Sequence, residues 1–288
     1  MITKIIHEDK IQKAHKYIEK GESFVIVTHV SPDGDAIGSA LGLFHFLNAY
    51  GKENVSVIVP NDYPNFLKWI PGTKDVTIYE KYPEFSEQLI SDADVIFCLD
   101  FNDPKRIEKL ADPVLKSEAR KVLIDHHLHP VEFCNVTMSY PNISSTSEMV
   151  FRFICRMGLF DLIDKNAAEC IYTGMMTDTG AFTYNSNHPE IYTIIGELIK
   201  LGIDKDLIYR RINQVYSEGR LRLMGYVLYE KMKVHHDMQA AMIALSVDEL
   251  NRFNYQTGDT EGFVNLPLSI EGVSFSVFIR EDSDYIKI

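Results

Sequence analysis

Three side chains of types that bind metal ions lie within seven residues near the start of the chain. His29 is followed by Asp33 and Asp35, and Gly34 separates the two aspartates. The apolar run at residues 24–27 predicts a strand buried on both faces, and the apolar residues behind Asp35 recur at helical spacing. A strand end, a loop and a helix start would thus present one imidazole and two carboxylates, a set that suits Mg²⁺ or Mn²⁺.

The same residues also fit a purely structural interpretation. Asp33 and Gly34 would then form a turn, Asp35 would cap the helix, and His29 would be a polar residue at a strand end. This stretch alone leaves both interpretations open.

Two further buried-type strands are predicted to end in acidic or imidazole side chains. These are residues 94–100 (DVIFCLD), ending in Asp100, and residues 121–125 (KVLID), which run through Asp125 into His126 and His127. Because parallel strands place their carboxyl ends at one edge of a sheet, three such strand ends predict one common site. Asp178 follows a predicted helix within TGMMTDTGAFTY, where a simple turn would explain it equally well.

Composition limits the class of protein. The 288 residues are 45% hydrophobic, and the formal net charge of −12 disfavours a passive nucleic-acid binder. No apolar run reaches the roughly 18 residues of a membrane span, and MITKIIHEDK has no signal-peptide core, so we expect a cytoplasmic protein without membrane contact. Four cysteines without CxxC spacing predict reduced thiols in the core.

The patterns predict an α/β chain with three parts: a parallel-sheet catalytic domain at residues 1–215, a linker helix at 216–232, and a smaller α/β domain at 233–288. Further strands are expected at residues 55–59, 234–245 and 273–279. Helices are expected at residues 8–20, 84–91, 142–157, 165–177, 191–201, 204–215 and 218–232, with Ser144 to Ser147 and Glu148 forming a capping box at the third of them.

The order and spacing of these motifs resemble the DHH phosphoesterase family. The residues that carry the resemblance are His29-x3-Asp33-x-Asp35, Asp100, Asp125-His126-His127 and Asp178. Within the family the chain is most similar to bacterial DHH/DHHA1 enzymes that degrade very short RNA and dephosphorylate 3′-phosphoadenosine 5′-phosphate (pAp). The Ser-Ser-Thr-Ser run at residues 144–147, TGMMTDTGAF and TEGFVNLPL (residues 260–268) support this subgroup.

The resemblance implies two divalent ions, Mn²⁺ first and Mg²⁺ as the alternative. By family pattern His29 and Asp33 would hold one ion, Asp35, His126 and Asp178 the other, and Asp100 would bridge them. Four carboxylates and two dications would be formally neutral together, which limits the desolvation cost of burying the cluster. Such a pair of ions can activate a hydroxide for in-line attack on phosphorus.

The resemblance also implies roles in substrate binding and catalysis. Asp100 would act in catalysis through the ions that it bridges. His127 would face the substrate phosphate, stabilising charge or protonating the leaving group, and Asp125 would orient a neighbouring side chain. Arg106, Ser144 and Ser145 would contact the substrate, although a solvated helix position explains an arginine equally well.

The implied reactions are hydrolysis of RNA of about two to five nucleotides to mononucleotides, and of pAp to AMP. Alternatives within the family are pyrophosphate, linear dinucleotides from cyclic dinucleotides, and single-stranded DNA. From another class, a non-catalytic metal or nucleotide sensor would keep the fold without turnover. A homodimer is compatible with the pattern but not required by it.

Family members of this type carry an Arg-Ser stretch and a Gly-Gly-Gly-His motif in the DHHA1 domain, where they grip the substrate. The sequence through Ile288 contains neither motif. The resemblance therefore implies an incomplete DHHA1-like domain: either the chain is truncated before these motifs, or the protein lacks the usual substrate clamp. In both cases we expect metal binding to be intact and substrate affinity and processing to be impaired.

Overall fold

Six parallel strands form the central sheet of the first part of the chain. A computed structural model describes residues 4–282 and 286–288. The strands are β1 Ser23–Val27, β2 Asn54–Val59, β3 Val76–Ile78, β4 Val95–Leu99, β5 Arg120–Asp125 and β6 Val136–Ser139. Their order is β3-β2-β1-β4-β5-β6, and every neighbouring pair is parallel. The direction of winding reverses between β1 and β4, the position where open α/β sheets form a crevice.

The predicted α/β class and the four predicted strands of this sheet are confirmed. The two edge strands, β3 and β6, were not predicted, because three- and four-residue strands with half-buried positions lack a readable apolar run. Helices cover both faces of the sheet, which explains why β4 is buried at all five positions. The helices of this part are α1 Glu8–Lys20, α2 Gly34–Ala49, α3 Pro83–Ser91, α4 Ala111–Lys116, α5 Thr146–Arg156, α6 Lys165–Asp178, α7 Pro189–Lys200 and α8 Lys205–Asn213.

Helices α2 and α6 pack against each other at unusually short range. Gly34, Gly38 and Gly42 repeat every four residues and lie on the face of α2 that meets α6. A methyl group at position 38 would approach the carbonyl oxygen of Cys170 to 2.6 Å and the amide nitrogen of Gly174 to 2.8 Å. The glycines therefore allow backbone-to-backbone contact, which brings the start of α2 beside the end of α6.

The start of α5 differs from the predicted capping box. Ser145 is the N-cap residue, and its Oγ accepts a hydrogen bond from the Glu148 amide at 3.0 Å. The Glu148 carboxylate does not return to Ser145; it accepts hydrogen bonds from the Ser144 amide and hydroxyl and from Arg152 Nε. Burial of this carboxylate beside a buried arginine explains the difference, because the ion pair stabilises it better than one amide would.

The described residues divide into two compact units between Ile212 and Asn213. The second unit contains helices α9 Glu218–Tyr226 and α10 Val247–Arg252 and the strands β7 Lys233–His235, β8 Ala240–Leu245, β9 Phe275–Glu281 and β10 Ile286–Lys287. The strand order is β10-β9-β8-β7, with β8 and β9 parallel and both outer pairs antiparallel.

Two elements of the second unit differ from the sequence prediction. The strand predicted over residues 234–245 is two strands, because Gln239 adopts φ 51° and turns β7 back onto β8. The helix predicted over residues 218–232 ends at Tyr226 and continues as one π-helical turn, Val227–Lys231. The segment proposed as a linker contributes Leu223 and Val227 to the core of this unit.

Within the described ranges, no helix combines the length and apolar character needed to cross a lipid bilayer.

Candidate metal centre

The carboxyl ends of β1, β4 and β5 bring imidazole and carboxylate groups together at one edge of the sheet. His29 follows β1, Asp100 follows β4, and His126 and His127 follow β5. Helix α2 begins beside this edge and helix α6 ends beside it, adding the three remaining carboxylates, Asp33, Asp35 and Asp178. The site therefore combines residues from five separate elements.

Asp100 lies at the centre of this cluster. Its Oδ2 is 3.3 Å from His29 Nε2, and its Oδ1 is 3.7 Å from His126 Nε2 and 3.8 Å from His127 Nδ1. The side chain is 2% exposed, and the backbone has φ 65°, a left-handed conformation that is uncommon for aspartate. This conformation turns the chain directly after β4, and the two oxygens of one carboxylate face imidazoles on two different strands.

The potential ligand atoms form three overlapping groups, one of which joins Asp100 to His126 and His127. The two further groups lie on either side of Asp100. In the first, His29 Nε2 lies 3.9 Å from Asp33 Oδ2 and 3.3 Å from Asp100 Oδ2. In the second, His126 Nε2 lies 3.5 Å from Asp178 Oδ2 and 3.9 Å from Asp35 Oδ2. The ligand atoms of each group lie within 4.8 Å of one another, so each group could hold one cation.

The imidazole environments fit metal ligation. His29 Nδ1 lies 2.9 Å from the carbonyl oxygen of Val30, and His126 Nδ1 lies 3.3 Å from that of Ile143. A carbonyl only accepts, so in the neutral form of each ring Nδ1 carries the proton and Nε2 offers a lone pair to a cation. His29 Nε2 is buried and lies 3.3 Å from Asp100 Oδ2 without a well-aligned hydrogen bond. A cation would supply the partner that this buried nitrogen lacks.

Asp33, rather than Asp35, is the N-cap residue of α2. Its Oδ1 accepts hydrogen bonds from the amides of Asp35 and Ala36, both at 3.0 Å. Its second oxygen, Oδ2, is the one that faces His29. One side chain thus caps the helix and still offers an oxygen to a cation, because a carboxylate has two oxygens.

Asp35 is held by the N-terminus of α5. Its Oδ2 accepts a hydrogen bond from the Thr146 amide at 2.6 Å, and its Oδ1 accepts one from the Ser147 amide at 2.9 Å. Thr146 also donates its hydroxyl to Asp100 Oδ1 at 2.8 Å. Sequence reasoning missed Thr146 and Ser147 as parts of the site. The only signal was the Ser-Ser-Thr-Ser run, which was interpreted as a helix cap and substrate contact.

Crowding of carboxylates shifts the protonation of the cluster in the absence of cations. Burial and the charges of Asp100 and Asp178 raise the pKa of Asp35 well above its usual value. Burial and the carboxylates of Asp100 and Asp33 also raise the pKa of Asp178 to about 6, despite the opposing effect of His126. Burial disfavours the charged form of His29, but the neighbouring carboxylates outweigh it and raise its pKa to about 9.

These shifts predict that divalent cations compete with protons for the site. With a pKa of about 9, His29 of the metal-free protein carries a proton at pH 7.5 that a bound cation must displace. We therefore expect Mn²⁺ affinity to fall as the pH is lowered from 9 towards 6, by about tenfold per pH unit for each proton displaced. Calorimetric titration in two buffers of different ionisation enthalpy would measure the released protons. An affinity independent of pH across this range would contradict the prediction.

Asp125 and His127 form a second charged pair beside the cluster. Asp125 is fully buried, and its Oδ1 lies 2.7 Å from His127 Nδ1 while its Oδ2 accepts from the His127 amide at 2.9 Å. The hydrogen bond that His127 Nδ1 donates to Asp125, despite partial burial of the ring, raises the pKa of His127 above its usual value, and the nearby charge of Arg106 opposes this rise. His127 is one-third exposed, so Nε2 remains available to a substrate.

The other sequence-predicted substrate contacts differ in position. Arg106 lies in the 3₁₀ segment Pro104–Leu110. Its backbone carbonyl accepts a hydrogen bond from the Val30 amide at 2.8 Å. The segment is thereby fixed beside the loop after His29. Ser144 and Ser145 are buried, and their hydroxyls are engaged with Glu148. In this structure both serines hold the start of α5, and their contact with a substrate stays a prediction.

Comparison with known proteins agrees with the architecture. The DHH family, N-terminal domain, matches residues 23–175. A bifunctional oligoribonuclease and PAP phosphatase, NrnA from Thermus thermophilus, is 32% identical over 263 residues, covering 91% of this chain and 74% of that protein. The protein of the same name from Bacillus subtilis is 24% identical over 273 residues, covering 93% and 80%. The crystal structure of an exopolyphosphatase-related protein from Bacteroides fragilis has a TM-score of 0.95 and 58% identity, covering 99% of this chain and 83% of that one.

Proposed function

The chain belongs to the DHH family, and on that premise we propose that it is a metal-dependent phosphoesterase. Its substrates are very short oligoribonucleotides, hydrolysed to mononucleotides, and pAp, hydrolysed to AMP. The names of the relatives from Thermus thermophilus and Bacillus subtilis support both activities. The cofactors are two divalent cations, with Mn²⁺ preferred over Mg²⁺, since imidazole ligands accompany the carboxylates.

One observation carries the proposal. The buried carboxylate of Asp100 lies between His29, 3.3 Å from Oδ2, and His126, 3.7 Å from Oδ1. A carboxylate with one oxygen facing each ligand group is suited to bridge two cations. A sensor that bound only a nucleotide would not need the six predicted ligands to converge at one edge of the sheet.

The side chains divide the work in the following way. His29, Asp33 and Asp100 would hold one cation, and Asp35, His126, Asp178 and Asp100 the other. When bound, the two cations lower the pKa of water to supply the attacking oxygen and offset the negative charge at phosphorus. His127, held by Asp125, would face the phosphate and donate a hydrogen bond to it or a proton to the leaving oxygen. Arg106 lies close enough to affect His127 electrostatically and adds a second positive group for the phosphate.

We place this activity in the cytoplasm. All four cysteines are free thiols, which supports a reducing compartment.

The homodimer remains a prediction, and sedimentation velocity of the purified chain would test it.

The function can be tested with purified protein and defined substrates. Metal-stripped protein is incubated with RNA of two to five nucleotides, pAp, or inorganic polyphosphate, each with and without Mn²⁺. We expect Mn²⁺-dependent release of mononucleotides and of phosphate from pAp. Polyphosphate is the second candidate substrate, because a protein 58% identical to this chain is described as exopolyphosphatase-related. Hydrolysis of polyphosphate alone would replace the proposed substrates with that one.

The Asp125–His127 pair predicts a change in pH dependence. Because the hydrogen bond to Asp125 raises the pKa of His127, the imidazolium persists to higher pH than in a free histidine. Activity that depends on the imidazolium is then lost as pH rises through this pKa. In Asp125→Asn the pKa of His127 is lower, so the alkaline decline of kcat should begin at lower pH. A pH profile of pAp hydrolysis would measure the shift; an unchanged profile would argue against a role for the imidazolium.

A further inference from the structure

We propose that Thr146 is a positioning residue for the metal centre, and that its hydroxyl sets the orientation of the Asp100 carboxylate. The inference rests on the proposed function, because it concerns the same cations. The inference adds to the proposed function a side chain that is neither a metal ligand nor a substrate contact. Thr146 is fully buried and lies at the first position of α5.

Thr146 connects two carboxylates that are far apart in the chain. Its amide donates to Asp35 Oδ2 at 2.6 Å, and its hydroxyl donates to Asp100 Oδ1 at 2.8 Å. These partners lie 111 and 46 positions away along the sequence. One residue therefore ties the start of α2 to the end of β4, at the two carboxylates proposed to bind the second cation.

The hydroxyl makes the two oxygens of Asp100 unequal. Oδ1 accepts from Thr146 and faces His126 at 3.7 Å, whereas Oδ2 faces His29 at 3.3 Å. A hydrogen bond to Oδ1 occupies one of its lone pairs and fixes the carboxylate plane, leaving the other lone pair directed at the ligand group of His126. Removal of the hydroxyl frees the carboxylate to rotate. Cation binding by the ligand group of Asp35, His126 and Asp178 should therefore weaken most.

Thr146→Val is the most direct test, because valine has the same shape, keeps the amide bonded to Asp35 and lacks only the hydroxyl. Isothermal titration with Mn²⁺ should show affinity lowered by about 10- to 100-fold, the range for loss of a hydrogen bond to a metal ligand. Thr146→Ser retains the hydroxyl and should stay within about threefold of the wild type. The weakened step should persist in a His29→Ala background, which keeps Asp33 as the N-cap of α2 and leaves the ligand group of Asp35, His126 and Asp178 intact.

Two controls separate positioning from general stability. Thr173→Val removes another buried hydroxyl, which donates to the Glu169 carbonyl at 2.6 Å, and should leave Mn²⁺ affinity unchanged. Thr146→Ala also removes the hydroxyl and should weaken Mn²⁺ binding as Thr146→Val does. It replaces Thr146→Val in the test if the valine variant does not fold. Circular dichroism of each metal-free variant establishes that it is folded.

Wild-type affinity in Thr146→Val would overturn the inference, because the hydroxyl would then have no role. Equal weakening in Thr146→Ser and Thr146→Val would also overturn it, because serine keeps the hydroxyl and keeping it would then preserve no affinity. Binding is measured without substrate. A wild-type chain that binds two Mn²⁺ but hydrolyses neither RNA nor pAp would refute the proposed function alone. The Thr146 variants would still decide the present inference.

Discussion

Replacement of Asp100 by asparagine is expected to reduce kcat/KM for pAp and short RNA by about 10³- to 10⁴-fold, equivalent to roughly 4–6 kcal/mol of transition-state stabilisation. Asparagine has the size of aspartate, and its amide oxygen can still accept the hydroxyl of Thr146. It lacks the charge and the second oxygen that would face the other ligand group. We therefore expect Mn²⁺ stoichiometry to fall from two to one or fewer per chain, measured by titration beside the hydrolysis assay.

A distant aspartate provides the matched control for this charge change. Asp161 is exposed and lies in the 3₁₀ segment Phe160–Leu162, away from the carboxyl edge of the sheet. Asp161→Asn removes the same charge and should leave both stoichiometry and kcat/KM within about twofold, as surface substitutions usually do. Full activity in Asp100→Asn would mean that hydrolysis takes place elsewhere. The same loss in both variants would instead indicate a general effect of net charge.

Gly38→Ala is expected to destabilise the first unit by about 2–4 kcal/mol, a large overpacking cost for one methyl group. The added carbon would lie 2.6 Å from the Cys170 carbonyl oxygen and 2.8 Å from the Gly174 amide nitrogen, both backbone atoms. Backbone cannot rotate away, so α2 and α6 must separate. Because α2 carries Asp35 and α6 carries Asp178, metal affinity should fall together with stability. Urea denaturation and Mn²⁺ titration measure the two effects.

Two other glycines on helices calibrate this result. Gly196 on α7 has no atom within 4 Å of an added methyl group, so Gly196→Ala should stabilise the protein by about 0.5–1 kcal/mol through helix propensity. The stability of Gly42→Ala should lie between those of Gly38→Ala and Gly196→Ala. Its added methyl group would lie 2.7 Å from the Ile171 side chain, and a side chain can move. If Gly38→Ala were as stable as Gly196→Ala, close contact of α2 and α6 would not be needed.

The sequence alone was sufficient to predict four of the six strands of the sheet and the convergence of the side chains at their carboxyl ends. A strand covered on both faces must be apolar throughout, so residues 24–27, 94–100 and 121–125 were readable without structural information. Parallel strands place their carboxyl ends together, and this rule predicted that His29, Asp100 and His126 would meet. The physical basis is local: each strand carries its own signal and its own terminal ligand.

The sequence did not determine how the ligands are held, because that depends on contacts between distant segments. The glycine repeat on α2 has a clear purpose only once Gly174 of α6 lies against it. Thr146 and Ser147 resemble an ordinary helix cap until α5 points its amides at Asp35. Ser144 and Ser145 matched the family pattern, but only the burial of Glu148 beside Arg152 shows that their hydroxyls are occupied.

The range of each interaction along the chain explains why some features could be predicted from the sequence and others only from the structure. Periodicity and strand-end composition are properties of five to fifteen neighbouring residues, and they survive in the sequence as patterns. Hydrogen bonds between positions 35 and 146, or 100 and 146, involve common residue types at no fixed spacing. Only the folded chain decides which of several equivalent hydroxyls and amides reaches a buried carboxylate, since packing of whole helices sets those distances.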